Sequence, residues 1–451
     1  MMKGFLLTRR NMLFSLVGLL LTATLTIWGC GGGSSSYDDP ASSAVVTTTT
    51  TQSGNALVTA AELKAWMDEG KVNATFGSYD RVIILDVTTS ANYTTGHIPF
   101  AQLVDGTGPF MNNTRAEGPM AVTGSMVCTG AAMDDLIQSK GIDQYTTIVI
   151  NGSSTINMAR AYATFRYWGF PKNRIKVLQG GNAAWTAAGY TLTTAVPIIK
   201  ESTYCVTPNG TPKVNTAMRV SLGEMISYVK SVIAGNPNKV IVLDTIRGAG
   251  PPQTTTTTDL LETGYTVFEG AMKGSYRYPY AGVVTSGLNF KDAATLKADL
   301  SAALGTDGVT ALGDSGRDTA KTFISVCRAG NAASVVYFAM DGIAYYDSNV
   351  DIKWYDGSYG QWNLLASSDQ LAVNTTNAGG KLAVGSIWNT TGLMDNLTWN
   401  VDNARAVVNY GYRVYAVEPS YAEGNQIETE DKAYRSAGGG AAGGSASGGG
   451  C

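Results

Sequence analysis

The stretch "TFISVCRAGNAASVVYF", residues 322–338, places a cysteine between an apolar run and a loop of small residues. A strand over "FISV" delivers Cys327 to its carboxyl end, where open α/β sheets bind ligands. The loop that follows is Arg328, Ala329, Gly330, Asn331 and Ala332. Gly330 permits a positive φ, so successive backbone N–H groups can turn inward. A helix starting near Ala332 or Ala333 adds the partial positive charge of its N-terminus. Such a cradle is expected to favour thiolate over thiol and to bind anionic sulfur. A free cysteine titrates near about 8.5, and lowering that by about two units corresponds to about 2.7 kcal/mol. Arg328 supplies a permanent charge for a small anion. The plainer reading makes Cys327 a small buried hydrophobe at a strand end.

Composition limits the other chemistries. The chain has 451 residues, 44% hydrophobic and 15% charged, with a net charge of −3. That supports sizeable cores and two or three domains, and it offers no basic excess for nucleic acid. The single histidine, His97, excludes a histidine-rich metal site. No CxxC pair supports zinc, and no cofactor is implied.

The elements around Cys327 occur twice. "VTAAELKAWMDEG" from Val58 parallels "VSLGEMISYVKSV" from Val220, and "RVIILDV" from Arg81 parallels "KVIVLDT" from Lys239. "TTIVINGSSTINMARAYATF" from Thr146 parallels "KTFISVCRAGNAASVVYFAM" from Lys321, and "RIKVLQGGNAAW" from Arg174 parallels "DIKWYDGSYGQW" from Asp351. The four offsets are all roughly 160 to 180 residues, in the same order. Runs such as "VIIL" and "VIVL" are apolar on both faces, as in buried parallel strands alternating with helices. The expected fold is therefore α/β, with two tandem domains, each a mainly parallel sheet flanked by helices, plus a C-terminal extension. The expected boundaries are 55–200 for the first domain, 201–217 for a linker, 218–368 for the second and 369–435 for the extension. Asp86 and Asp244 are expected to terminate strands and cap loops.

Together these segments resemble the rhodanese, or sulfurtransferase, family in its tandem form. "LDVTTSANYTTGHIPFA" resembles that family's strand, Asp and "GHIPGA" turn, and "VLQGGNAAW" its closing "LxGGxxxW" element. "YDGSYGQW" resembles "YDGSWxEW", and "CRAGNAAS" the active loop "CRxGxRS". The resemblance covers about residues 55 to 365. It implies that Cys327 attacks the outer sulfur of a donor, becomes a persulfide and passes sulfur to an acceptor. The first repeat has Asn151 near the cysteine position, so that domain should be catalytically silent. In the second, Ala271 stands for the histidine, and the family's arginine is displaced by one position to Arg247. Ala329 replaces the serine of mercaptopyruvate-type loops, which are thought to pair it with a first-domain histidine. His97 would lack that partner, leaving it a turn-stabilising role and favouring a thiosulfate-like donor with a thiol or cyanide acceptor.

The ends of the chain carry other signals. Residues 1–29 have a basic start and an apolar run of about 15 residues, short of the about 20 needed to span a bilayer. "IWGC" followed by "GGGSSS" resembles a bacterial lipoprotein signal, with lipid on Cys30 and a tether over 30–54. That implies export and a lipid anchor in the cell envelope, the outer membrane favoured because Gly31 follows Cys30; "TRRNML" leaves the export route open. Export would allow a disulfide between Cys128 and Cys205. The tail 436–451 is Gly- and Ser-rich and ends in Cys451, a candidate tethered acceptor thiol whose linker reaches roughly 20–24 Å. Two functions from different classes follow: transfer of sulfane sulfur by turnover at Cys327, or carriage without turnover of sulfur or of selenium and tellurium oxyanions.

Overall fold

The computed structural model describes residues 54–210, 212–236, 239–246, 266–312, 322–374, 382–399 and 423–436. The signal-like segment, Cys30, most of the tether, Arg247 with the "PPQTTTTT" stretch, and Cys451 lie outside the described residues.

The first half begins with β1 (Leu57–Val58) and α1 (Ala60–Asp68), whose start is closed by a capping box between Thr59 and Glu62. Next come β2 (Val82–Thr88), α2 (Ser90–Thr95) and β3 (Gln102–Asp105), then a hairpin of β4 (Asn113–Glu117) and β5 (Met120–Met126). The half is completed by α3 (Gly130–Ser139), β6 (Thr147–Gly152), α4 (Thr155–Tyr167), β7 (Ile175–Leu178) and α5 (Gly181–Ala187). The second half repeats this order. It runs through α6 (Leu222–Ile233), again capping-boxed by Ser221 and Glu224, β8 (Val240–Asp244), β9 (Phe268–Met272), β10 (Tyr276–Arg277) and α7 (Ala293–Leu312). Then follow β11 (Thr322–Val326), α8 (Asn331–Phe338) running into a π-helical turn over Ala339–Ala344, β12 (Asp351–Trp354), α9 (Ser358–Trp362) and α10 (Ser368–Asn374). The extension adds β13 (Met394–Trp399) and α11 (Gln426–Ala433).

Two parallel sheets result, β1-β7-β6-β2-β3 and β10-β8-β11-β12. Each paired sequence segment occupies equivalent elements: α1 and α6, β2 and β8, β6–α4 and β11–α8, β7–α5 and β12–α9. Alternate side chains explain the doubly apolar strands. Ile83 and Leu85 face the same core as Ile241, Leu243 and Phe323, whereas Val82 and Ile84 pack toward Leu63 and Trp185. Val240, Val242 and Ile324 face a third cluster containing Met225 and Trp362. The central core is therefore shared by both halves, and α4 lies against α8, with Tyr162 edge-on to Phe338 at 4.8 Å between centroids.

The extension holds both halves. β13 pairs antiparallel with β9, Asp395 opposite Ala271. On α11, Asp431 accepts from Arg115 and from Tyr167, each at 2.7 Å, and Glu428 lies 3.5 Å from Arg219. Within the segment expected to be a linker, Cys205, Val206 and Thr207 are buried, Val206 N–H donates to Asp134, and Thr207 bonds Ser436. Asp86 departs from expectation, because β2 runs two residues beyond it. Asp244 does end its strand, and its carboxylate accepts from the Ile246 amide at 3.3 Å. Among the described residues no helix is long and apolar enough to cross a membrane.

Candidate functional site

Cys327 sits at the carboxyl end of the central strand β11 and is 2% exposed. α8 starts at Asn331, slightly earlier than the sequence suggests, because Gly330 takes the left-handed cap position at φ 75°. A Cβ on Gly330 would lie 2.4 Å from the Asp356 carbonyl oxygen, so only glycine fits there. The turn brings the N–H groups of Ala333, Ala329 and Ala332 onto the Cys327 sulfur. Arg328 points outward and is exposed, while its carbonyl accepts from Gly360 N–H at 2.6 Å. Asn331 is half-buried and Ala332 is buried at the head of α8.

The cradle does not make the thiol acidic. Burial pushes the Cys327 thiol up from its ordinary value, and the amides of Ala333, Ala329 and Ala332 offset that only in part. The expected bias toward thiolate is thus reversed in the unloaded protein, because a charge on sulfur loses more by leaving water than three amides return.

A second loop, from β12 into α9, locks the first. Ser358, a non-glycine residue at φ 48°, accepts hydrogen bonds from Cys327 N–H at 3.1 Å and Gly330 N–H at 3.2 Å. Its proton goes to the Tyr355 carbonyl at 2.7 Å. The Cys327 sulfur lies 4.0 Å from the same oxygen, so the hydroxyl shapes the loop more than it binds sulfur. Tyr359 N–H donates to the Cys327 carbonyl, and Trp354 Nε1 donates to the Gly330 carbonyl at 2.8 Å. Asp356 anchors this second loop from below. Its carboxylate binds Arg219 Nη2 at 3.0 Å and accepts from Val127 N–H at 2.9 Å and Gly357 N–H at 3.0 Å. Val127 follows the β4–β5 hairpin, so the first half contributes directly to the support of the loop in the second.

The equivalent position in the first half is Asn151, fully buried at the end of β6 and donating to Asn182. Beside it, burial raises the Asp86 carboxyl to about 6, opposed by the Asn151 hydrogen bond and the His97 charge. His97 is buried and stacked on Tyr93, with Nδ1 3.0 Å from the Tyr93 carbonyl and Nε2 3.2 Å from the Ala195 carbonyl. Both ring nitrogens face carbonyls of the first half, either of which can accept from the ring N–H, in keeping with a turn-stabilising role. Ala271 lies within β9, paired with the extension. Cys128 is a free buried thiol that burial pushes up to about 12, whereas Cys205 is disulfide-bonded, so these two do not pair with each other. Arg247 and Cys451 fall outside the described residues. Cavities of about 480 Å³ beside Tyr228 and Trp388, and about 290 Å³ beside Phe110 and Lys140, lie elsewhere, and Cys327 lines neither.

Ser358, Asp356 and Arg160 contribute to the site without a role that the linear sequence assigns to them. The last carries a readable signal: it is the one charge in the otherwise uncharged "TINMARAYATF" run.

A family model described as Rhodanese-like domain matches residues 59–188. A curated relative from Haloferax volcanii, named putative thiosulfate sulfurtransferase, is 26% identical over 318 residues, covering 70% of this chain and 95% of the relative. One from Thermus thermophilus, named sulfur carrier protein TtuD, is 26% identical over 276 residues, covering 60% of this chain and 84% of the relative. Among solved structures, the 3-mercaptopyruvate sulfotransferase SseA of Escherichia coli aligns with a TM-score of 0.47 at 19% identity, covering 67% of this chain and 98% of that one.

Proposed function

We propose, from the premise that this chain is a tandem rhodanese-type protein whose residues 59–188 match the Rhodanese-like domain family, that it transfers sulfane sulfur through Cys327. The observation that carries this reading is the ring of Ala329, Ala332 and Ala333 amides around a buried cysteine sulfur at a strand end. In the first step the Cys327 thiolate attacks the outer sulfur of thiosulfate; the S–S bond of the donor breaks and sulfite leaves with the electron pair. The persulfide anion formed has its charge held by the loop amides. In the second step an acceptor such as cyanide attacks the terminal sulfur, thiocyanate leaves and the Cys327 thiolate returns. Arg328, and Arg247 beyond the described residues, are the proposed charges for the incoming anion.

Thiocyanate formation from thiosulfate and cyanide tests this reading. Wild type should turn over and Cys327→Ser should stay at background. Equal background rates in both would reject it. One observation favours the second reading, carriage without turnover: the thiol is buried and biased toward its neutral form. In that case mass spectrometry would show one persulfide on Cys327 after donor treatment, without multiple turnovers. A lipid anchor at Cys30 belongs to the same proposal and sets where the chemistry takes place.

A further inference from the structure

We propose that Arg160, contributed by the first half, is the counter-charge of the sulfur anion formed at Cys327 and so a positioning residue of the site. The inference rests on the sulfur-transfer reading above. Arg160 lies on α4, the helix that follows the cysteine-less loop, and is 1% exposed. Its Nη2 donates to the Ser125 carbonyl at 2.6 Å, while Nε and Nη1 have no hydrogen-bond partner. The guanidinium stacks over the Trp354 ring at 4.4 Å, and that indole donates to the Gly330 carbonyl in the Cys327 loop. One aromatic ring therefore separates the cation from the loop that cradles the sulfur.

A buried cation without a paired carboxylate is costly. Among the described residues none pairs with it. The acid whose charge acts on it, Asp356, is taken up by Arg219, Val127 and Gly357. Burial accordingly pulls the Arg160 guanidinium down to about 10, opposed by the charges of Asp356, Cys128 and Cys327, while Arg219 adds to the lowering. Of the two sulfurs in its field, Cys128 is held protonated by burial and has a raised value of about 12. Cys327 alone has backbone amides directed at it. The anion that completes the environment of Arg160 is thus the thiolate, and then the persulfide, on Cys327. The thiolate requires no new cavity, since its charge resides on an atom already in place, and the persulfide extends that charge by one sulfur.

The test uses the full chain and follows Cys327 alkylation by iodoacetamide against pH, with peptide mapping to isolate that site. Arg160→Met should slow alkylation at pH 7 about tenfold and move the rate–pH profile up by about one unit. Arg160→Lys should restore most of the wild-type profile. A folded Arg160→Met with an unchanged profile would overturn the proposal, as would a lysine variant shifted as far as the methionine one. Should the methionine variant not fold, Arg160→Gln carries the same comparison. Thiocyanate assays separate the two ideas: a wild type without turnover removes the sulfur-transfer reading, while the alkylation profile still reports the Arg160 charge.

Discussion

Ser358 accepts a hydrogen bond from the Cys327 backbone N–H at 3.1 Å, and the same hydroxyl oxygen accepts from Gly330 at 3.2 Å. One side chain from the β12–α9 turn therefore fixes both ends of the loop that follows β11. Ser358→Ala leaves two buried amides without an acceptor, at a cost of about 2 kcal/mol. Urea melts should show that loss, together with at least a severalfold drop in thiocyanate formation. An alanine variant with wild-type stability and turnover would contradict this assignment.

Gly330→Ala meets two penalties at once. Its φ of 75° disfavours any side chain, and the added carbon would lie 2.4 Å from the Asp356 carbonyl oxygen. A loss of at least about 2 kcal/mol is expected, because positive φ and a backbone clash add. Activity should fall with it, since relieving the clash moves the Ala332 and Ala333 amides off the sulfur. Circular-dichroism melts beside turnover would measure both.

The Cys327 thiol is pushed up by burial, and this fixes the direction of its pH dependence. The neutral thiol is favoured in the folded state, so its contribution to stability is full below the unfolded thiol value and is lost as pH rises through the folded one. Reactivity runs the other way. Iodoacetamide alkylation of Cys327 should still be climbing above pH 8. A plateau already reached below pH 7 would show that the amide cradle outweighs burial after all.

Arg219 faces three acidic partners, Glu117 at 3.0 Å, Asp356 at 3.0 Å and Glu428 at 3.5 Å. One cation does not balance three carboxylates in a buried site, and burial pushes both Glu117 and Glu428 up. Burial raises Glu428 to about 7 from its ordinary 4.5, opposed by Arg219. Its contribution to stability is full below pH 4.5 and is lost as pH rises through about 7. Glu428→Gln should flatten thermal stability across that window, whereas wild type should soften toward pH 8. Parallel curves for the two proteins would remove Glu428 as the titrating group.

Lipidation at Cys30 is checked by metabolic labelling with a radiolabelled fatty acid in a bacterial host. Wild type should carry the label and partition with membranes, and Cys30→Ala should do neither. An unlabelled wild type would leave the chain without that anchor.

Much of the architecture was legible in the linear text. The paired runs "VIIL" and "VIVL" are apolar at every position, as in a strand covered on both faces, and they became the bodies of β2 and β8. "CRAGNAAS" identified its own turn, because a glycine three residues after the cysteine permits the left-handed step that aims amides at sulfur. Such signals are local, and local sterics determine them. The strand order, the hairpin reaching Asp356 through Val127, and the docking of α11 were not legible, because they depend on pairings between residues distant in the chain, such as Leu57 with Val177, Val127 with Asp356 at a separation of 229 and Arg115 with Asp431 at 316. The protonation bias of Cys327 belongs with these. The sequence supplied the amides that favour thiolate, but the balance is decided by how much water the shared core excludes. That exclusion, together with the arrival of Arg160 beneath the loop, exists only once α4 has packed against α8.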